Sequence, residues 1–455
     1  MFEHTIIAIS TPFGFGGIGV VRLSGKKSLE IAQKIFTPLG KNNDIKPRTA
    51  LLGTICDPED DESFEQAFLT YFPSPFSYTT EDMVEISCHG SPVVLEEIVR
   101  IGIKHGATHA KPGEFTLRAY LNGRIDIIQA EAINDFIRAS SLKQAKISYQ
   151  QMDGILSAKL NAIRSRLIDT LSQIEARIEF PDENLNLSLK SISLSLQKTI
   201  DSVKKLIQSY DLGKSLSEGL KIAIVGRTNV GKSTLFNALL QSKRAIVTPF
   251  PGTTRDYLSE PIKIKDSIFT LLDLAGRDKP KHPIEKEGIK KSKQLARKSD
   301  AILLVFDCSQ KETQEDFRLV TTHNTKKTIL IFNKTDLPVK MNIEKMSSLA
   351  PNRTAVRVSA LKKSNINKLR ETIYSEFAKK AETDQETILH LHQKLLLEDI
   401  LKALRSGKDM LGQGHPEEIC AEEIRGSIPL LNQLTGDIRS DDIIKKIFSR
   451  FCIGK

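Results

Sequence analysis

Gly226-Arg227-Thr228-Asn229-Val230-Gly231-Lys232-Ser233 spells GxxxxGKS directly after the apolar run Lys221–Val225 and directly before a helical stretch. A strand, a glycine-bearing turn and a helix in that order are what a P-loop requires. The glycines let backbone N–H groups wrap phosphates, the Lys232 ammonium reaches the β- and γ-oxygens, and the Ser233 hydroxyl suits Mg²⁺. Val230, Gly231 and Thr234 belong to the same cradle. Around it, Phe269–Leu272, Ala301–Phe306 and Thr328–Phe332 are further short apolar runs bounded by turns, with helical stretches between them. Strands that read as continuous apolar runs belong to sheets covered on both faces. Residues 218–379 are therefore predicted to form a doubly wound, mostly parallel α/β unit whose last helix is Ile366–Lys379.

The other motifs of a nucleotide site follow in order. Asp273-Leu274-Ala275-Gly276 fits DxxG at the end of a strand. Asp409-Met410-Leu411-Gly412 spells the same pattern inside a helical stretch, where no role is expected. Asn333-Lys334-Thr335-Asp336 matches NKxD at the end of another strand. An aspartate there accepts two hydrogen bonds from guanine N1–H and the 2-amino group; adenine lacks both donors, which selects GTP over ATP. Ser359-Ala360-Leu361 completes the base pocket. Thr253 and Thr254, in Pro251-Gly252-Thr253-Thr254-Arg255-Asp256, stand where a switch threonine belongs, with Thr254 a second Mg²⁺ ligand. The set predicts a GTP hydrolase.

In Ras-like proteins the residue after DxxG is the glutamine that orients the attacking water. Here it is Arg277, which stays protonated and cannot act as a base. Asn229 offers a neutral oxygen near the phosphates suited to a monovalent cation, which could stabilise transition-state charge; the alternative is that it braces the loop.

At 455 residues the chain exceeds what one core usually serves. Residues 1–118 mix β-rich runs (Thr5–Ser10, Gly19–Leu23, Met83–Ser87) with a helix near Val93–His105 and are predicted to form a small α+β domain. From about Leu121 to Tyr210 the pattern is helical, with Ile163, Leu167, Leu171, Ile174 and Ile178 in one stripe and Pro181 ending that helix. Residues 380–455 are helical again, so 119–217 and 380–455 are expected to be two parts of one helical domain interrupted by the α/β unit. The 5 cysteines (Cys56, Cys88, Cys308, Cys420, Cys452) form no CxxC and indicate neither a disulfide framework nor a zinc site. No apolar run is long enough to span a membrane and no signal pattern opens the chain, so a reducing cytoplasm is expected. A net charge of +10 allows a polyanionic partner, but the basic residues are scattered and equally read as a solvated surface. Gly14-Phe15-Gly16-Gly17-Ile18-Gly19 matches GxGxxG only loosely and no βαβ unit of the right length follows, which argues against an FAD or NAD site.

Thr5–Pro12, Gly16–Gly25, Ser77-Tyr78-Thr79-Thr80-Glu81-Asp82, Pro112–Thr116, Gln129–Ile133, Glu179–Asp182 and above all the tail Phe451-Cys452-Ile453-Gly454-Lys455 together resemble the MnmE (TrmE) family of tRNA-modification GTPases, from end to end. The resemblance implies an N-terminal domain that dimerises and binds 5-formyl-tetrahydrofolate or a related one-carbon folate, a discontinuous helical domain, and an inserted Ras-like G domain. It implies action with an FAD-containing partner, MnmG (GidA), in 5-carboxymethylaminomethyl-type modification of the wobble uridine of certain tRNAs. It also implies K⁺-dependent GTP hydrolysis that drives G-domain dimerisation. K⁺ ligation would fall to Asn229, Thr248, Phe250 and Thr253, with Pro249 and Gly252 in the same nucleotide-binding segment, and water activation to Glu285. Folate contacts would be Arg22, Glu85, Arg124 and Lys455. Position 124 is commonly lysine in the family, and Asp273–Gly276 is followed by Arg277-Asp278 where the family reads DTAGLR, a departure in switch II.

Cys452 reads either as a small packing residue or as a thiol near the folate or the reacting uridine. His89, beside Gly90, reads as structural, bonding backbone in a turn. The alternative function is a ribosome-assembly or RNA-chaperone GTPase that modifies nothing; the N-terminal block and the tail speak against it. A folate enzyme with a regulatory G domain is the third reading.

Overall fold

The computed structural model describes every residue except 1–3, 41–43, 60–61, 140, 181–187, 218, 241–257, 266, 274–298, 324–326, 378–386, 437–446, 450 and 455. The chain divides into two compact units, one made of 1–135, 149–200 and 399–455, the other of 136–148 and 201–398.

The first unit is built on a sheet of β1 (Ile6–Ile9), β2 (Gly16–Ser24), β3 (Phe36–Pro38), β4 (Ala50–Cys56), β5 (Ser63–Phe72), β6 (Met83–Gly90) and β7 (Thr108–His109), in the order β3-β4-β5-β6-β2-β1-β7. Helices α1 (Ser28–Ile35) and α2 (Pro92–Lys104) cover one face. Their buried Ile31, Ile35, Leu95 and Ile98 join Ile7, Val21, Leu23, Leu69, Val84 and Ile86 in one core. The strands expected at 5–10, 19–23 and 83–87 and the helix near 93–105 are present. The longer β4 and β5 were not read from the sequence. Next along the chain come α3 (Glu114–Leu121), α4 (Ile127–Ile137), α5 (Leu142–Met152), α6 (Ile155–Glu179) and α7 (Leu189–Ser217), of which residues 136–148 and those from 201 on fall in the second unit. In α6, Leu160, Ile163, Leu167, Leu171 and Ile174 are buried at three- and four-residue spacing, and the helix stops two residues before Pro181.

Residues from beyond the α/β region return to this unit. Arg177 of α6 pairs with Glu417 at 2.8 Å and Glu175 pairs with Arg425 at 2.5 Å, both partners lying on α13 (Glu417–Arg425). Further on, Phe448 and Phe451 are buried and stacked at 5.4 Å. Gly113, at φ +71°, has Phe448 O 2.7 Å from where a Cβ would lie, so glycine is needed for that close approach. Ser10 Oγ donates to Gly454 O at 3.0 Å, which ties the tail to the end of β1.

The second unit holds a sheet of β8 (Leu220–Val225), β9 (Leu258–Ile264), β10 (Ser267–Asp273), β11 (Ala301–Asp307), β12 (Lys327–Asn333) and β13 (Ala355–Arg357), in the order β13-β12-β11-β8-β10-β9. All pairings are parallel except that of β9 with β10. Alternation explains why its strands read as unbroken apolar runs. Ile222, Ile224, Leu303, Val305, Ile329 and Ile331 enter one core, with α8 (Lys232–Leu240) and α11 (Ile366–Phe377). Ala223, Val225, Ile302, Leu304, Phe306, Leu330 and Phe332 enter the other, with α9 (Gln314–Thr322) and α10 (Ile343–Ser348). β8 lies between β10 and β11, so the chain order reverses at its carboxyl end, the position where open α/β sheets bind ligands. Asp409–Gly412 falls in the last turn of α12 (Leu391–Gly412), in the part of that helix that belongs to the first unit.

Phe306 and Phe332 are fully buried with ring centroids 5.8 Å apart. Phe306→Ala is expected to destabilise this unit by about 3–5 kcal/mol. Urea unfolding should show a lowered midpoint at unchanged slope, and an unmoved midpoint would contradict this packing.

Candidate functional site

The carboxyl ends of five strands, β8, β10, β11, β12 and β13, deliver the second unit's site. β8 leads through Gly226 into a loop that enters α8 at Lys232. Gly226 has no space for a side chain, since Val305 O and Val230 Cγ2 occupy it. Gly231, at φ +94°, faces the Asn333 carboxamide where its own Cβ would lie. Asn229 is left-handed at φ +63° and exposed, an arrangement asparagine tolerates better than most residues. Lys232 Nζ donates to Gly226 O at 3.0 Å and Arg227 O at 2.6 Å, folding the ammonium over the loop. Ser233 and Thr234 are exposed on the first turn of α8, where helix N–H groups and dipole favour an anion.

Asn333 is the hub. Its Nδ2 donates to Val230 O at 2.9 Å and its Oδ1 accepts from Ala360 N at 2.9 Å. One buried side chain thus joins the P-loop, the NKxD turn and the Ser359–Leu361 loop. Ser359 Oγ donates to Asp336 Oδ1 at 2.6 Å, and that bond, with a backbone N–H, holds the Asp336 carboxyl below the usual carboxylate range. Thr335 N donates to Val358 O at 3.2 Å, while Leu361 is exposed. Lys334, left-handed at φ +66°, donates to Asp307 Oδ2 at 2.7 Å. Burial pushes Asp307 up, but Lys334 and Ser309 outweigh it and leave that carboxyl below its ordinary value.

Asp307 was not singled out from the sequence, nor was the brace on Arg227. That guanidinium donates to Thr313 Oγ1 at 2.7 Å and Asp316 Oδ2 at 2.9 Å, where Thr313 and Asp316 form the capping box of α9. The Thr-x-x-Asp spacing was the available signal for the cap. Asp273 closes β10. Thr248, Pro249, Phe250, Pro251, Gly252, Thr253, Thr254, Leu274, Ala275, Gly276 and Glu285 lie outside the described residues.

The first unit holds a cavity of about 650 Å³ that brings Arg22, Glu85 and Arg124 together. Arg22 and Glu85 are register partners on β2 and β6, and Arg22 Nε donates to Glu85 Oε1 at 2.9 Å. Both arginines lie against Tyr78, with Arg22 5.6 Å and Arg124 5.3 Å from its ring centroid. Its hydroxyl meets Thr116 Oγ1 at 2.8 Å, and burial pushes its pKa up. Arg124 Nη1 donates to Ser77 O at 2.6 Å. Lys455 lies outside the described residues. Cys452 is exposed, its carbonyl accepting from Gly113 N at 3.3 Å. His89 is on strand β6 rather than in a turn, and its Nδ1 meets Glu65 Oε1 at 2.9 Å in place of backbone.

With both sites in place, the comparisons with known proteins decide the family. The model of the GTP-binding protein TrmE N-terminus matches residues 5–124, and that of the MnmE helical domain matches 127–452. The chain belongs to the MnmE family. It is 38% identical to a tRNA modification GTPase MnmE of Thermoanaerobacter sp. over the full length of both chains. It is 38% identical to that of Aquifex aeolicus, again over 100% of each. Among solved structures, the G domain of the T. maritima FeoB iron transporter covers 34% of this chain and 98% of its own at 25% identity; its TM-score of 0.27 is too low to bear on the fold.

Asn333→Ala leaves a buried carbonyl and a buried N–H unpaired, for a cost of about 2–4 kcal/mol. Asn333→Asp should cost at least as much at neutral pH, because a carboxylate then faces Val230 O. The same contact raises the folded-state pKa of that new acid, so its penalty should shrink as pH falls. Urea titrations at two pH values measure both; a wild-type midpoint for Asn333→Ala would contradict the bridge.

Proposed function

We propose that the chain is a GTP hydrolase that works in tRNA modification. The observation that carries the reading is the Asn333 bridge, which holds the phosphate loop and an Asp336 already oriented by Ser359 in one frame. Asp336 then reads guanine N1–H and the 2-amino group, and Lys232 with the α8 N-terminus takes the phosphates. The donor set fits the expected ions. Ser233 supplies an exposed hard hydroxyl oxygen for Mg²⁺, alongside Thr254. Asn229 supplies a neutral amide oxygen for K⁺, with Thr248, Phe250 and Thr253. Bound K⁺ would supply positive charge at the phosphates. Glu285 takes the water-orienting role that Arg277 cannot fill.

In the finer reading, hydrolysis drives dimerisation of the G domain, residues 218–379. The N-terminal domain, 1–118, pairs two chains, and 119–217 with 380–455 form the helical domain. Together with an FAD-containing MnmG (GidA) partner the chain acts on the wobble uridine of certain tRNAs in the cytoplasm. The cavity at Arg22, Glu85 and Arg124 takes 5-formyl-tetrahydrofolate or a related one-carbon folate, with Lys455 contributing from the tail. What supports this is family membership over the whole chain together with an arginine-rich, aromatic-lined cavity in the N-terminal match.

Asp336→Asn replaces an acceptor oxygen by a donor. GTP binding should weaken roughly a hundredfold while xanthosine triphosphate, which offers an acceptor at C2, gains; fluorescence titration with both nucleotides checks it, and undiminished GTP affinity rules out the base assignment. Turnover should be at least about tenfold faster in KCl than in NaCl, a difference lost in Asn229→Ala. Equal rates for the parent in the two salts would sink the K⁺ mechanism. Unaltered wobble uridine in cells lacking the chain would favour an assembly-factor role instead.

A further inference from the structure

We propose that Arg48 is a binding residue of the N-terminal cavity, gripping the acidic tail of a ligand whose planar body lies against Phe76 and Tyr78. Arg48 lines that cavity with Arg22, Glu85 and Arg124. Three guanidiniums therefore face one carboxylate, and Glu85 is already engaged by Arg22. Arg124 donates to Ser77 O at 2.6 Å and Arg48 to Phe76 O at 3.5 Å; among the described residues neither meets a carboxylate. Two guanidiniums satisfied only by backbone carbonyls and aromatic faces leave the cavity electropositive. An anionic ligand restores the balance, and the planar fork of arginine matches a carboxylate.

The backbone at Arg48 makes the second observation. Its φ is +58°, a left-handed conformation unfavourable for any residue with a Cβ. The surroundings hold it there, because Arg48 N donates to Tyr71 O at 2.7 Å and Pro47 bridges to Tyr71. The consequence is placement of the guanidinium 5.1 Å from the Phe76 ring centroid, at the exposed rim. A side chain parked by an unfavourable turn on an exposed aromatic ring contributes little to a core. Strain of this kind is retained where it positions a group. Arg22 and Arg124 both lie against the half-buried Tyr78, whereas Arg48 lies against the exposed Phe76, so Arg48 is the group left for the end of the ligand that projects outward.

The inference rests on the folate reading of this cavity, since a folate joins a pterin with a flat pyrimidinone ring, through a flat aminobenzoyl ring, to a glutamate tail with two carboxylates. Calorimetry on the full chain with 5-formyl-tetrahydrofolate, and with 5-formyl-tetrahydropterin lacking the tail, separates the two claims. Arg48→Gly keeps the left-handed backbone without strain, so its thermal midpoint should equal or exceed that of the parent. The preference for the tailed over the tail-less compound should fall roughly tenfold to hundredfold in Arg48→Gly. Arg48→Lys, with charge but no fork, should lie between. An unchanged preference overturns the role of Arg48. No binding of 5-formyl-tetrahydrofolate by the parent overturns the folate reading itself, and the assignment of Arg48 goes with it.

Discussion

The second unit is organised by one planar amide. Asn333 needs a donor and an acceptor on the same short side chain, because Val230 offers a carbonyl and Ala360 an N–H across the site. Asparagine alone supplies both at that reach. Its position is fixed in turn by the pairing of β11 with β12, which sets Asp307 opposite Asn333 at the carboxyl edge of the sheet. Gly231 must lack a side chain because the amide occupies that space. The Lys334–Asp307 pair and the Arg227–Asp316 brace then pin the flanks of the same frame. Both pairs contain one nearly buried carboxylate with additional hydrogen bonds, the condition under which an ion pair orients more than it stabilises.

The N-terminal cavity follows a similar logic with charge in place of an amide. Arg118 is 1% exposed and held between Glu81 and Glu114 at 2.9 Å each, so it rigidifies the segment from 77 to 82 that carries Tyr78. Glu81 also accepts from Ser24 Oγ on β2. Tyr78 can then hold its ring against both Arg22 and Arg124. The tail reaches the same unit through Gly113 and Gly454, both left-handed and both too close to neighbouring backbone for a Cβ.

The doubly wound sheet was legible because each central strand feeds two cores, which makes its sequence apolar at every position. The nucleotide motifs were legible because their spacing is local. The strands β4 and β5 were not, since Leu52, Phe64 and Phe68 are substantially exposed and polar residues interrupt both runs, which blurs alternation. Arg227 and Asp316 are 89 positions apart, and only the fold brings them together. Arg48 is invisible for a different reason. A left-handed arginine leaves no pattern in composition or periodicity, whereas a glycine at the same place would have announced the turn. His89 misled because Gly90 beside it looks like a turn, while the strand simply ends there against Gly16.

Preorganisation also constrains where rate acceleration can come from. A frame that holds Asp336 and the phosphate loop in place before nucleotide arrives contributes equally to ground state and transition state. Uniform binding of that kind confers selectivity and affinity without accelerating the chemical step. Acceleration has to come from groups that engage the charge developing on the transferred phosphoryl. Within the described P-loop, Lys232 is such a group, though its ammonium is already committed to two loop carbonyls. Asn229 is one of the exposed polar side chains of the same loop, and like the hydroxyls of Thr228, Ser233 and Thr234 it is neutral. On the proposed reading it can add positive charge only by recruiting a cation, which makes a monovalent ion a requirement of the chemistry rather than an accessory to folding.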